Sequence, residues 1–327
     1  MKILKRKLSN LKHDAVFIVC FLLMILIASN SVYSVSVLYG IRLYIACVLP
    51  TLFPYLFLTY VISNLKTLGK ISRFASPLTK KLWRVNGAVG YAFIISTFCG
   101  NPVGSKTVSD LRLDGAIDEI QAVRASCICS TASPTFLIAS VGGICFSNST
   151  FGALLFLSSF LTSIVIGVIF SFYKRKAPLT PYTPKNANVS DNILYDGTYS
   201  SIISLLVVGG VIVIFYLFTD ILYYTGILSP LIALLTRITG SEISANAICF
   251  GLLECTRGIK ELSTLGITAF SLPVCGAICG FGGLSILFQS IAYLKKAKIK
   301  TAPFVFSKLL SAVINFCFCL VFSLLFL

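Results

Sequence analysis

The sequence predicts an all-α polytopic membrane protein built as an inverted repeat, with two re-entrant hairpins and two broken helices. Three observations carry that reading. The 327 residues are 57% hydrophobic and only 12% charged, at a mean hydropathy of +0.93, and so little charge cannot cover a soluble core in water. The charged residues gather in short stretches between long uncharged runs. Two irregular stretches also recur in the same order, with Cys129 and Cys279 at matching helix breaks and Gly104-x-Lys106 matching Gly258-x-Lys260.

The elements follow in chain order. Residues 1–42 hold a basic head (Lys2, Lys5, Arg6, Lys7, Lys12) and a first span over 15–37. The uncharged run outlasts the core of a signal peptide and lacks an A-x-A site, which favours a retained span over a cleaved leader. The first repeat covers 43–173 and opens with a span at 43–65 that contains Pro50 and Pro54, tolerated in a membrane as kinks. The apolar run 87–100 is too short to cross a hydrocarbon core of ~30 Å. It runs into GNPVGSK, where Asn101, Pro102 and Gly104 break the helix, so 87–112 reads as a hairpin returning to its own side. Residues 125–147 have span length, but CSTASPTF interrupts them with a polar run and Pro134. Backbone unwound at that depth must face protein or a watery cavity. A full span at 151–173 closes the repeat, and the polar, Pro-rich stretch 174–199 reads as a cytoplasmic linker.

The second repeat, 200–327, has the same order. It comprises a span at 200–224, a hairpin at 245–262 around LECTRGIKEL with Gly258, a broken helix at 264–294 around CGAICGFGGLS with Gly282 and Gly283, and a span at 302–327. Placing the N-terminus in the cytoplasm puts every basic residue except Arg42, Arg237, Arg257 and Lys260 on one side, as the positive-inside rule requires. The two hairpins then enter from opposite faces, the signature of a transporter with its site at the repeat interface. The net charge of +16 is thereby explained by topology, without a nucleic-acid partner.

Most of the twelve cysteines lie in apolar runs, where they act as small hydrophobes, and no disulfide is expected. The single histidine, His13, is near the N-terminus, so no metal or cofactor is expected either. An enzyme is not expected: there is no H-E-x-x-H or G-x-S-x-G, and a Ser–Lys dyad on Lys106 lacks a visible partner. Polar and ionisable groups within apolar surroundings are costly, and so mark candidate substrate contacts. In the first half these are Asn101, Lys106, Ser130, Thr131 and Ser133; in the second they are Glu254, Thr256, Arg257, Lys260, Ser285 and Gln289. Structural alternatives stand beside them. Lys106 and Lys260 are equally explained as lysines reaching to the interface, Arg257 and Glu254 as a helical pair, and Gly282 and Gly283 as packing residues.

At GNPVGSKTVSDL, CSTASPTFLIASVGG, LLECTRGIKEL and CGFGGLSILFQSI the chain resembles the sporulation integral membrane proteins of the YlbJ type, within the wider Gate, or nucleoside-recognition, domain family. The matching positions are Gly100, Pro102, Gly104, Lys106, Asp110 and Leu111; Cys129, Pro134 and Phe136; Glu254 and Gly258; and Phe281, Gly282, Gly283 and Ser285. The resemblance implies a fold similar to the concentrative nucleoside transporters, with Asn101 and Glu254 at hairpin tips where polar substrate contacts would sit. It also implies a bacterial cell or forespore membrane and movement of dipicolinic acid during spore formation. Excess positive charge at the hairpins fits a small organic anion as the substrate. The rival readings are a nucleoside or other metabolite transporter and a non-transporting structural subunit of a sporulation membrane complex. The partners expected are this anionic small molecule and the lipid bilayer; the coupling ion and homo-oligomerisation are left open.

Overall fold

The structure is a computed structural model and describes residues 18–64, 68–176, 179–180 and 192–326. The basic head, the start of the first expected span and most of the expected linker fall outside them. Among the described residues, five helices are long and apolar enough to cross a membrane: Ser31–Ile62, Ser149–Phe170, Ile193–Tyr224, Ser271–Lys296 and Ala302–Phe326.

The first described helix, α1, is Ile18–Ser29. It stops at Asn30, whose Oδ1 accepts from Val32 N at 2.9 Å and so caps α2, Ser31–Leu43. A π-helical turn, Tyr44–Val48, carries α2 directly into α3, Leu49–Asn64. The break therefore falls at Asn30, and the expected spans 15–37 and 43–65 are redrawn around it. Arg42 does not interrupt the helix, because an exposed side chain takes nothing from the backbone hydrogen bonds. Next comes α4, Leu68–Trp83, an amphipathic helix between the expected span 43–65 and the run 87–100, where the sequence predicted no element. Its small residues Ser72 and Ala75 meet Gly87 and Gly90 of the following helix so closely that a Cβ on Gly87 would lie 1.7 Å from the Ser72 carbonyl oxygen.

The first hairpin is α5, Gly87–Cys99, and α6, Val103–Leu113, separated at Gly100, Asn101 and Pro102. The first broken helix is α7, Glu119–Ile128, then a non-helical stretch through Ser133, then a π-helical segment, Thr135–Cys145. Pro134 starts that segment because its fixed φ suits a helical start and its missing N–H needs no partner there. Helix α8, Ser149–Phe170, is capped by Asn148, which accepts from Phe151 N at 2.9 Å. Helix α9, Ile193–Tyr224, begins within the expected linker, with Asp196 favourably placed in its first turn. Next are the short α10, Ser229–Thr239, and a second hairpin of α11, Glu242–Leu253, and α12, Cys255–Ser263, broken at Glu254. The second broken helix is α13, Ser271–Phe281, and α14, Gly283–Lys296, and α15, Ala302–Phe326, follows. Its helical part starts at Ser271 rather than at 264, because Ser271 Oγ accepts from Thr268 N (3.0 Å) and donates to the Gly266 carbonyl (2.9 Å), closing a turn ahead of the helix.

The cores mix the two halves. Val89 of α5, Val108 of α6 and Ile128 of α7 pack with Leu287 and Leu294 of α14 and Phe304 of α15. Leu137 and Val141 of the π-helical segment pack with Ile259 of α12 and Leu272 of α13. Each hairpin thus lies against the broken helix of the other half.

Candidate functional site

The break in α5–α6 is forced by close packing. Gly100 has φ +73°, and a Cβ there would stand 2.7 Å from Ser133 N, so only glycine lets the hairpin tip touch the unwound part of the first broken helix. The second half has the reciprocal contact. Gly283, at φ +77° on the broken helix, has room for a Cβ only at 3.0 Å from Cys255 N, at the tip of the second hairpin. Each tip consequently meets the unwound segment of its own half, and the two tips approach one another across the space between.

A cavity of ≈ 60 Å³ lies where they meet. Its walls include Gly100, Asn101 and Pro102, Ser133 and Phe136, Glu254 and Thr256, and Gln289. Helix α9 closes it with Val208 and Ile212. A cavity of ~150 Å³ is what admits a benzene-sized guest, so the site as it stands offers too little space for an organic substrate. Pro102, in the cavity wall, starts α6 without a side-chain cap and so brings a positive dipole end to the site; Gly282 likewise starts α14 without one, outside the cavity lining.

The polar lining has distinct local duties. Glu254 is buried and caps α12: its carboxylate accepts from Thr256 Oγ1 and, at 2.8 Å, from Arg257 N. Asn101 Oδ1 accepts from Ser130 Oγ at 3.0 Å. Ser133 Oγ accepts from Phe136 N at 3.3 Å, fixing the start of the π-helical segment. Gln289 is buried with its Oε1 unpartnered, an acceptor open to a ligand in the wall of the cavity.

The remaining sequence candidates lie elsewhere. Arg257 turns away from the cavity, pairs with Asp220 of α9, donates to the Tyr216 carbonyl at 3.1 Å and sits between the Tyr216 and Phe250 rings, 4.4 and 4.3 Å from their centroids. Its expected pairing with Glu254 is made by its backbone N–H. Lys260 is exposed, and Lys106 lies partly exposed along α6; neither lines the cavity. Thr131 and Ser130 line a smaller neighbouring cavity with Ser159, Thr162, Ser163 and Asn315. Ser285 is fully buried on α14 with its hydroxyl unpartnered. Gly104 and Gly258 serve packing: a Cβ on Gly104 would meet the Cys129 carbonyl oxygen at 2.1 Å, and one on Gly258 the Gly251 Cα at 2.4 Å.

Sequence reasoning placed Lys308 with the interfacial basic residues. The structure buries it (1% exposed) within α15, its Nζ donating to the Ser130 carbonyl at 3.1 Å, and no carboxylate among the described residues pairs with it. The acceptor lies just past the C-terminal end of α7, where carbonyls and the negative dipole end favour a cation. The signal available in the sequence was a lone lysine inside an otherwise uncharged final run.

These features define a class: a polytopic helical membrane protein whose helix breaks gather around a mostly apolar cavity with a few polar groups in its wall. The chain is a homologue of sporulation integral membrane protein YlbJ of Bacillus subtilis (strain 168), with 24% identity over 300 residues that cover 84% of this chain and 73% of that protein. No family profile matches the chain, and no solved structure matches it.

Proposed function

We propose that this protein is a secondary transporter of a small organic anion, acting in spore formation, with dipicolinate as the candidate that the YlbJ resemblance supplies. The observation that carries the reading is the convergence of two hairpin tips and two unwound helices on one cavity with an unpartnered amide in its wall. The repeated order of long helix, short helix, hairpin, broken helix and full span supports an inverted repeat, with the cavity at its interface. No catalytic group, metal or cofactor enters this mechanism; the chemistry is binding and release.

The charge assignment differs from the one read in the hairpins. Lys106, Arg257 and Lys260 do not line the cavity, whereas Lys308 stands behind Ser130, which is hydrogen-bonded to Asn101 of the cavity wall. Lys308 does not line the cavity, but its ammonium adds positive potential behind the wall, which a substrate carboxylate would meet together with the N-terminal end of α6. One observation favours a nucleoside instead: two carboxamides, Asn101 and Gln289, line the same cavity, and carboxamides pair with base edges.

The test is uptake of labelled dipicolinate and, separately, of uridine into proteoliposomes, with Glu254→Gln and Lys308→Gln beside the natural protein. Dipicolinate uptake that Lys308→Gln reduces at least tenfold is the expected result. Uridine uptake without dipicolinate uptake would replace the anion by a nucleoside. Protein that is folded yet moves neither compound would be a structural subunit.

A further inference from the structure

The cavity is too small in this structure for an organic substrate, so a transporter must widen it towards one face, and the unpartnered polar atoms mark a route. Among the described residues, seven buried side-chain atoms lack any hydrogen-bond partner. Five of them lie on three helices packed side by side: Ser105 Oγ on α6, Asn246 Oδ1 on α11, and Ser285 Oγ, Gln289 Oε1 and Ser290 Oγ on α14. A buried polar atom without a partner lowers stability, so a cluster of this kind is maintained at a cost. The serines stand beside the apolar contact of Val108 and Leu111 with Leu287 and Leu294, so they interrupt a seam that is otherwise apolar.

The polar groups run in a direction. Helix α6 starts at the cavity with Pro102 and continues through Ser105 to Ser109, whose Oγ donates to the Tyr293 carbonyl of α14 at 2.9 Å. Helix α14 touches the cavity at Ile286 and Gln289 and ends in Lys295 and Lys296, both exposed. Arg112 occupies the last turn of α6, and Lys106 lies partly exposed along it. The seam thus joins the cavity at one end to a mouth that is positive on balance at the other, Lys106, Arg112, Lys295 and Lys296 standing against the exposed Asp110 and Asp114. A mouth of that sign concentrates small anions.

We propose that the seam between α6 and α14 is the passage by which the substrate anion leaves or reaches the cavity from the face bearing Lys295 and Lys296. In the packed state Ser105, Ser285 and Ser290 have no hydrogen-bond partner from the protein. In the open state they are hydrated and line the path with hydroxyl groups. This inference rests on the transport reading for its cargo, but the opening of the seam is measurable without any cargo.

Two measurements test it. The double variant Ser105→Ala/Ser290→Ala removes two unpartnered hydroxyls from the closed seam, so its Tm in detergent should rise by about 2 °C or more. The same change removes two polar groups from the open path, so uptake should fall at least fivefold. A purely structural role for these serines would move stability and uptake in the same direction or leave both unchanged. Independently, Ser290→Cys should react with a membrane-impermeant maleimide, above the natural-protein background, from the side that exposes Lys295 and Lys296. Labelling without any uptake would sustain the seam and sink the transport reading. Uptake by a Ser290→Cys protein that stays unlabelled from both sides, or a double variant with unchanged uptake, would overturn the seam and leave the transport reading standing.

Discussion

Arg257 and Asp220 form an ion pair in which both side chains are largely withdrawn from solvent, at 11% and 7% exposure. The guanidinium is also held between two aromatic rings, so neither partner can swing out to water when the other is removed. Asp220→Asn therefore leaves an uncompensated charge in an apolar wall, which costs about 3–5 kcal/mol. Replacing both, as Asp220→Leu/Arg257→Met, removes the charge as well as its partner and should recover most of that loss. Thermal unfolding of the two variants in detergent checks this, and a double variant no more stable than Asp220→Asn would mean that packing rather than charge dominates there. At the same scale Glu254 and Arg257 illustrate what a single sequence conceals. Both were legible as costly polar residues in an apolar run, but which of them lines a cavity depends on α9, more than 30 residues upstream, and no local spacing encodes that neighbour.

Helix breaks were legible because they depend on local chemistry. Proline at 102 and 134 and glycine at 100, 282 and 283 interrupt backbone hydrogen bonds or adopt φ values that other residues avoid, and the breaks fall there. Helix α4 was missed because its charge pattern is also that of a basic loop, and its burial against Gly87 and Gly90 is a tertiary fact. The start of α9 was missed for a related reason, since polar residues in a first turn resemble a linker. Part of that linker is tied down at the start of α7. Asp118 Oδ2 accepts from Thr180 Oγ1 and from Gln121 Nε2, each at 2.7 Å, and Oδ1 accepts from Gln121 N at 2.8 Å, while Asn86 Nδ2 reaches the Thr180 carbonyl at 3.3 Å. Partial burial pushes the Asp118 carboxyl up, but these hydrogen bonds outweigh it and hold its pKa below the ordinary aspartate value. A depressed folded pKa means that the stabilisation is complete above the unfolded value of ~3.9 and is lost as pH falls through the folded one. Limited proteolysis near Thr180 should therefore accelerate below pH ~4 in the natural protein. In Asp118→Asn it should already be fast at neutral pH and change little with acid; an unchanged rate at neutral pH would show that this clip does not hold the linker.

The whole molecule has one pole where separate basic segments come together. Arg124 of α7 donates to the Tyr173 carbonyl at 2.6 and 3.1 Å and also to the carbonyls of Arg84 and Lys174, so the ends of α4 and α8 meet the start of the first broken helix. Lys300, beyond the end of α14, lies 3.5 Å from Glu119 at the start of α7. This exposed pair adds little stability, but it places the α14–α15 connection at the same pole. The basic stretches that the sequence assigned to a single side of the membrane, around 80–84, 174–176 and 295–300, are therefore neighbours in space as well as alike in charge. Arg237 and Lys260 belong to α10 and α12 of the second half and are exposed. If the positive-inside rule sets the orientation, Lys298→Cys should be modified by an impermeant thiol reagent only from the cytoplasmic side, and Arg237→Cys only from the opposite side. Both would be read above the background of the natural protein, in which Cys20 and Cys317 are already exposed. Reaction of the two from the same side would place both hairpins on one face. Two units with the same sense in the membrane cannot be inverted repeats, and the site at their junction would then have to open by a route other than alternating access between them.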